Sequence, residues 1–181
     1  TAALSEGRTL MAGASYTEAT AYCQAYPVFH FNPCDESNPG WAVYARADLG
    51  RLELLGEYAS TTEDWAGTAS PVPIYSAFEA VAPNAFTLGG RYWFDLQSSE
   101  DFALSFEFSR FVSGDSGAPW EKQDQWVLGG SYFISPSVNL FGELIRTEGW
   151  VPLNFLSGGN LPTGESWSER NASTNVLALG V

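Results

Sequence analysis

Basic side chains are scarce in this sequence. Eight lysine and arginine residues stand against 21 aspartate and glutamate residues, and Lys122 is the single lysine. The formal net charge of −13 argues against binding of nucleic acid or of anionic lipid headgroups through a basic patch, because both need clustered cations. Small cations are the charged partners that this composition favours.

Long apolar runs are absent as well. No stretch approaches the roughly 18 apolar residues of a membrane-spanning helix, so a helical span is excluded. Membrane-spanning strands remain open, because they need only about 9 to 11 residues that alternate in polarity. The chain starts at Thr1 with neither an initiator methionine nor a signal peptide, and we expect a mature form, a fragment, or both.

Cysteine and histidine are few, which limits the metal sites that the chain can build. Cys23 and Cys34 fall in one loop, and their spacing suits a disulfide in an oxidising compartment, with two free thiols as the alternative. A zinc site is disfavoured because His30 is the single histidine. We predict no metal and no cofactor.

A repeat organises the middle of the chain. The Leu-Gly-Gly-X-Tyr pattern of Leu88–Phe94 returns at Leu128–Ile134. Each copy precedes a short polar turn and a second strand with a glutamate near its middle. A repeat of fixed period predicts similar units that are added side by side, which for strands means a meander or a barrel.

Apolar residues alternate with polar or small residues in eight segments, the signature of strands with one apolar face. In one of them, Leu104 and Phe106 alternate with Ser105 and Glu107. The predicted strands are Arg8–Tyr16, Trp41–Leu49, Arg51–Ser60, Phe86–Asp95, Asp101–Val112, Gln125–Ile134, Val138–Thr147 and Ser173–Val181.

The connections between these strands alternate strictly between short and long. Short turns on one side and long loops on the other are typical of up-and-down barrels in bacterial outer membranes. We therefore predict an all-β fold, a transmembrane up-and-down antiparallel β-barrel. Residues 1–181 would form a single barrel domain or the C-terminal half of one.

Alternation alone does not decide whether the apolar face points to lipid or into a soluble, lipocalin-like core. Three features favour lipid: the asymmetry of the loops, a polar face that mixes small and charged residues, and aromatic residues near strand ends, as in an interfacial girdle. These aromatics are Trp41, Phe86, Phe94, Trp126 and Tyr132.

Charged residues on the polar face are the candidates for function. Glu57, Glu107 and Glu143 occur at similar distances from their turns, which predicts a partial acidic ring that favours cations. Alternatively, the carboxylates are paired, Glu53 with Arg46 and Glu107 with Arg91, and both descriptions can hold together. The predicted pore-lining residues are Tyr44, Arg46, Glu53, Glu57, Arg91, Glu107 and Glu143.

Two loops carry further candidates. The Cys23–Cys34 loop is apolar and either narrows a pore mouth or packs on itself. The Gly-Asp-Ser-Gly sequence around Ser116 resembles a serine protease nucleophile segment, but it lacks a suitable histidine base and is ordinary turn composition. We predict no enzymatic activity.

Five segments resemble Gram-negative outer-membrane porins, in particular the C-terminal half of LbtU-like siderophore porins. They are Pro39–Ala45, Leu54–Tyr58, Phe102–Glu107, Gln125–Gly130 and Thr174–Val181. The resemblance implies a barrel of about 16 strands, of which these eight would be the second half. Such barrels end on an aromatic residue, whereas this chain stops at Val181, so we expect a fragment.

The resemblance also implies a function. The expected protein is an outer-membrane porin, in contact with lipid, that admits small hydrophilic solutes by passive diffusion, with a preference for cations or a siderophore. It leaves a homotrimer open as the assembly. The alternatives are a closed eight-stranded barrel that acts as an anchor or adhesion platform, in which Arg8–Tyr16 pairs with Ser173–Val181, and a soluble lipocalin-like ligand-binding barrel.

Overall fold

The computed structural model describes residues 2–5, 7–20, 37–65, 77–95, 100–118, 120–135, 137–149 and 172–181. These residues form one antiparallel sheet of nine strands without any helix, and this part of the chain therefore holds no helical membrane span. The strands are β1 (Ala2–Ser5), β2 (Arg8–Thr17), β3 (Gly40–Leu49), β4 (Leu52–Thr61), β5 (Asn84–Asp95), β6 (Glu100–Val112), β7 (Lys122–Ser135), β8 (Val138–Gly149) and β9 (Ala172–Gly180).

Each strand pairs with its neighbours in the sequence, so the sheet order is β1 to β9. The eight predicted strands are confirmed as β2 to β9. The short strand β1 was not predicted, because four residues are too few to show alternation. Since β2 lies between β1 and β3, its predicted pairing with β9 in a closed eight-stranded barrel is not formed, and the described sheet is open.

Several strands extend further than predicted at one end of the sheet. β5 begins at Asn84 and β7 begins at Lys122, while β8 continues to Gly149. The added residues are polar or small on both faces, so the alternation of apolar and polar residues ends before the backbone hydrogen bonds of the ladder do. This end carries the long connections 18–39, 62–83, 113–121 and 150–171, and we call it the loop end.

The opposite end, which we call the turn end, carries the short connections 6–7, 50–51, 96–99 and 136–137. Gly7 and Gly50 have φ angles of 72° and 79°, in the left-handed region that glycine enters without a steric penalty. The predicted alternation of short and long connections is confirmed.

The large buried side chains of the described residues lie among the loops of the loop end rather than between two layers. Trp65 and Trp120 are 3% and 2% exposed, and Ser113 is fully buried. Trp120 packs against Phe78 with the ring centroids 5.4 Å apart and the ring planes at 81°. An isolated bridge joins Trp65 to Val81. The loops of the described chain therefore have a small core of their own.

Asn38 links two of these loops. Its side-chain amide donates a hydrogen bond to the Glu63 carbonyl at 3.2 Å, and its side-chain oxygen accepts one from the Glu63 N–H at 3.1 Å. Its backbone carbonyl accepts hydrogen bonds from the Thr20 N–H and hydroxyl, both at 2.9 Å. Since Asn38 is 4% exposed, water does not replace these bonds.

We expect Asn38→Ala to lower the free energy of unfolding by about 1 to 3 kcal/mol, because it leaves the Glu63 N–H without its acceptor. Asn175→Ala is the matched control, since it removes the same amide from an exposed position and should cost less than about 0.5 kcal/mol. Urea unfolding followed by tryptophan fluorescence measures both. Equal effects of the two substitutions would show that Asn38 does not join the loops energetically.

Candidate functional site

The register of the ladders divides the strand side chains between two faces of the sheet. Residues that pair directly across a ladder share a face, and the face changes with each residue along a strand. Tyr44 pairs with Glu57, and Glu53 pairs with both Asp48 and Arg91. All seven residues predicted to line a pore lie together on one face, which we call the polar face. They are Tyr44, Arg46, Glu53, Glu57, Arg91, Glu107 and Glu143.

The three glutamates of the predicted acidic ring lie on a diagonal of the polar face. Across the ladders, Glu57 is in register with Thr87, Glu107 with Gly89 and Glu143 with Gly129, each one row of side chains nearer the turn end than the last. The ends of the three hairpins are displaced in the same direction. Their last register pairs involve Glu53, Glu100 and Val138, and each of these pairs lies nearer the turn end than the one before it. Strand tilt in a barrel produces this stagger. The glutamates therefore keep comparable distances from their turns.

Arg46 forms the predicted ion pair with Glu53. The Nη2–Oε2 distance is 3.5 Å, and the Arg46 Nε also donates to Asp48 Oδ1 at 3.0 Å. Glu53 accepts a further hydrogen bond from Trp93 Nε1 at 3.2 Å. The alternative of paired carboxylates is thus correct for Glu53, and Asp48 is a second partner of Arg46 that was not predicted.

The second predicted pair, Arg91 with Glu107, is not formed. The Arg91 guanidinium carbon lies 5.7 Å from the centroid of the Trp93 ring, within the range of a cation–π contact. Trp93 shares the polar face with Arg91 and lies one row nearer the turn end, whereas Glu107 lies one row nearer the loop end. Glu107 instead accepts a hydrogen bond from the Ser109 hydroxyl at 3.3 Å.

A concavity of about 320 Å³ lies within the polar face. Gly89 and Ser105 leave its floor open because their side chains are small. Five of the predicted residues line it: Arg46, Glu53, Arg91, Glu107 and Glu143. Tyr44 and Glu57 lie outside its lining, nearer the loop end, where the Tyr44 ring covers Gly13 so closely that a Cβ there would be 2.5 Å from Cε1.

Neutral polar residues of this face were not singled out from the sequence. Thr87 and Ser109 hydroxyls lie 3.0 Å apart, and Gln125 donates to the Thr147 hydroxyl at 3.3 Å. All four occupy one row with Glu57. The same alternation that selected the charged residues would have found them, because they stand at the same spacing.

The opposite face, which we call the apolar face, exposes large hydrophobic side chains. Leu88 is 58% exposed, Leu128 is 53% exposed and Leu144 is 57% exposed. A soluble β-protein buries such a face. The described residues place no second layer over it. Across this face the exposed aliphatic residues form a continuous surface from β3 to β9.

Two belts of aromatic residues bound the apolar face. The belt at the loop end steps across β2 to β7 and consists of Tyr16, Trp41, Tyr58, Phe86, Phe108 and Trp126. Ring centroids in it are 5.3 Å apart for Trp41 and Tyr58 and 5.4 Å apart for Phe108 and Trp126. The belt at the turn end consists of Tyr92, Phe94, Phe102 and Tyr132.

At the loop-end belt the apolar face also carries charged residues. The Arg110 guanidinium donates two hydrogen bonds to the Asp124 carboxylate, at 2.6 and 2.9 Å, and lies 5.7 Å from the Phe108 ring. Arg146 pairs with Glu148. The change from aliphatic to aromatic to charged residues follows the order from the interior of a bilayer to water.

The remaining candidates lie in loops. Cys23, Cys34 and His30 lie outside the described residues, so the predicted disulfide is not tested. In the Gly-Asp-Ser-Gly sequence, the Asp115 carboxylate accepts a hydrogen bond from the Ser116 N–H at 2.6 Å, and Gly117 has a φ of 96°. Its geometry is that of a turn. Within the described ranges, no three histidine, cysteine or acidic side chains are grouped to hold a metal ion.

No family model, curated protein or solved structure matches the chain. The resemblance to porins therefore stays a prediction.

Proposed function

We propose that this sheet is the wall of a bacterial outer-membrane β-barrel, which gives small hydrophilic solutes, cations in particular, passive passage through a lumen lined by its polar face. The apolar face would contact lipid. The observation that carries the proposal is the exposed aliphatic surface bounded by two aromatic belts. A siderophore, as a polar metal chelate, belongs to the same class of solute.

The dimensions of the apolar face support a lipid environment. Within one strand the belts are six residues apart, as from Phe86 to Tyr92, from Phe102 to Phe108 and from Trp126 to Tyr132. Six residues of strand span about 20 Å. The lipid-facing band of an outer-membrane barrel is about 25 Å tall and is flanked by aromatic girdles on both sides.

The open edges of the sheet must be paired if the sheet lies in a bilayer. Unpaired backbone groups are too costly in hydrocarbon, so a sheet in a bilayer must be closed. In the described sheet β1 and β9 have free edges. The proposed barrel therefore requires each edge to find a partner. Further strands or a further chain would supply these partners in a barrel of about 16 strands.

The polar face supports passage of cations. Of its charged residues, Arg46 is paired with Asp48 and Glu53, whereas Glu107 and Glu143 have no ionic partner among the described residues. Unpaired carboxylates in a confined lumen raise the local concentration of cations. Diffusion through such a lumen needs no chemical step from the chain.

Quenching of tryptophan fluorescence by brominated lipid tests which face meets the bilayer. Trp126 lies on the apolar face and Trp93 on the polar face. Bromine quenches only rings that touch the acyl chains, so we expect Trp126→Phe to lower the quenched fraction in vesicles and Trp93→Phe to raise it. Identical changes in the two variants would contradict the proposed orientation.

Conductance tests passage itself. The protein in a planar bilayer between KCl solutions should give discrete ohmic steps and a reversal potential on the cation-selective side. Insertion without conductance, established by the same quenching assay, would favour an anchor or adhesion platform over a porin.

A further inference from the structure

The concavity of the polar face holds charged groups of both signs without ionic partners among the described residues. Its floor is Gly89 and Ser105, and its rim includes Arg91, Glu107 and Glu143. A solute that enters its volume of about 320 Å³ can meet a guanidinium and carboxylates at once. The proposed lumen, although acidic overall, thus presents a positive and a negative group within one concavity.

Arg91 is placed to bind an anion. It is exposed, and its contact with Trp93 holds the guanidinium toward the turn end, away from Glu107. The carboxylate directly across the ladder, Glu53, is already engaged by Arg46 at 3.5 Å and by Trp93 Nε1 at 3.2 Å. A solute carboxylate therefore reaches Arg91 without breaking an existing ion pair.

Glu107 and Glu143 are placed to bind a cation. Both are half-buried, and no described basic side chain pairs with either of them. Glu107 accepts one hydrogen bond, from Ser109, which leaves acceptor capacity on its carboxylate. Partial burial reduces screening by water and salt, so an ammonium group is held more firmly here than at an exposed carboxylate.

The spacing of these groups sets the size of the ligand. Arg91 pairs with Ser105 and Glu107 pairs with Gly89, so Arg91 and Glu107 are diagonal neighbours across the β5–β6 ladder. The Cα atoms of diagonal neighbours are about 7 to 8 Å apart. The charged groups are further apart than this, because Arg91 contacts Trp93 toward the turn end and Glu107 accepts a hydrogen bond from Ser109 toward the loop end. Two extended residues of peptide span about 7 Å, whereas the charged groups of a single amino acid are separated by one carbon atom.

We propose that this concavity binds zwitterions of dipeptide length, with the ligand carboxylate at Arg91 and its ammonium group at Glu107. The proposal rests on the proposed function, because a lumen brings solutes to this face. A ligand with only positive charge meets Arg91 and a ligand with only negative charge meets Glu107, so both bind more weakly than the zwitterion.

Calorimetry on the full chain in detergent micelles tests the proposal with three probes: glycylglycine, its C-terminal amide and its N-acetyl derivative. At about pH 6.5 the α-amino group is protonated and the carboxyl group is ionised, so these are a zwitterion, a cation and an anion. We expect glycylglycine to bind about tenfold more tightly than either relative. Equal affinities for the three probes would overturn the proposal.

Variants separate the two ends of the site. Arg91→Gln should abolish the preference for glycylglycine over its amide, and Glu107→Gln should abolish the preference over its N-acetyl derivative. Glu63→Gln, the same chemical change at an exposed loop position, should alter neither preference. If Glu63→Gln altered binding as much as Glu107→Gln, the assignment of Glu107 to the ammonium group would be wrong.

KCl conductance of the same preparation tests the proposed pore separately. Missing conductance counts against the pore, whereas the calorimetry still decides whether the zwitterion binds.

Discussion

Leu128→Arg is expected to destabilise the protein in lipid vesicles by about 2 to 4 kcal/mol, the cost of an arginine near the middle of the bilayer on the face that we propose to contact lipid. Leu128 is 53% exposed on the apolar face, one row from the loop-end belt at Trp126. An arginine there must be solvated by distorting the bilayer. Urea unfolding from vesicles, followed by tryptophan fluorescence, measures the loss.

Val127→Arg is the matched control for this substitution. Val127 is the preceding residue of the same strand, lies on the polar face and pairs directly with Glu107. A new arginine there gains a carboxylate partner and stays in water, so its effect should be below about 1 kcal/mol. If the two arginines cost the same, the apolar face is not in lipid.

The double variant Glu107→Lys with Glu143→Lys is expected to reverse the ionic preference of the proposed pore. It replaces two unpaired carboxylates of the concavity by two ammonium groups, so the local potential changes sign. We expect the ratio of cation to anion permeability to fall about tenfold. Reversal potentials across a KCl gradient in planar bilayers measure this ratio.

Glu63→Lys with Asp64→Lys makes the same change of charge at exposed loop positions. Because exposed charges more than a Debye length from the lumen are screened at about 0.1 M salt, the control should leave the permeability ratio nearly unchanged. Raising the salt concentration should diminish the effect of the lumen variant. Unchanged reversal potentials in the variant with Glu107→Lys and Glu143→Lys would show that these carboxylates do not make the proposed pore selective for cations.

Strand alternation predicts most of this fold and the placement of its charged residues. Side chains repeat every two residues along a strand, so the pattern around Phe106 and Glu107 assigns both faces at once. Prediction from alternation fails where apolar and polar residues do not alternate. β1 has only four residues, and the start of β7 is polar on both faces. These segments are held by backbone hydrogen bonds, which do not depend on the polarity of the side chains and so cannot be recognised from it.

Contacts that depend on a choice of rotamer were beyond sequence reasoning. Arg91 can reach either Glu107 or Trp93 from its place on β5, and only the structure shows that it takes the ring. The loop-end core is a second case. Trp65 and Trp120 come from separate loops without a common period, so nothing in their spacing indicates that both are buried.

The strictly sequential order of the sheet has a consequence for how the protein is made. Every strand from β2 to β9 pairs with the strand that precedes it, so no ladder within the described sheet has to wait for a distant segment. Low sequence separation of this kind speeds folding, and lengthening a loop adds only slowly to the entropy of closure. The sheet can therefore grow one hairpin at a time as the chain is delivered, with its newest strand always serving as the template for the next.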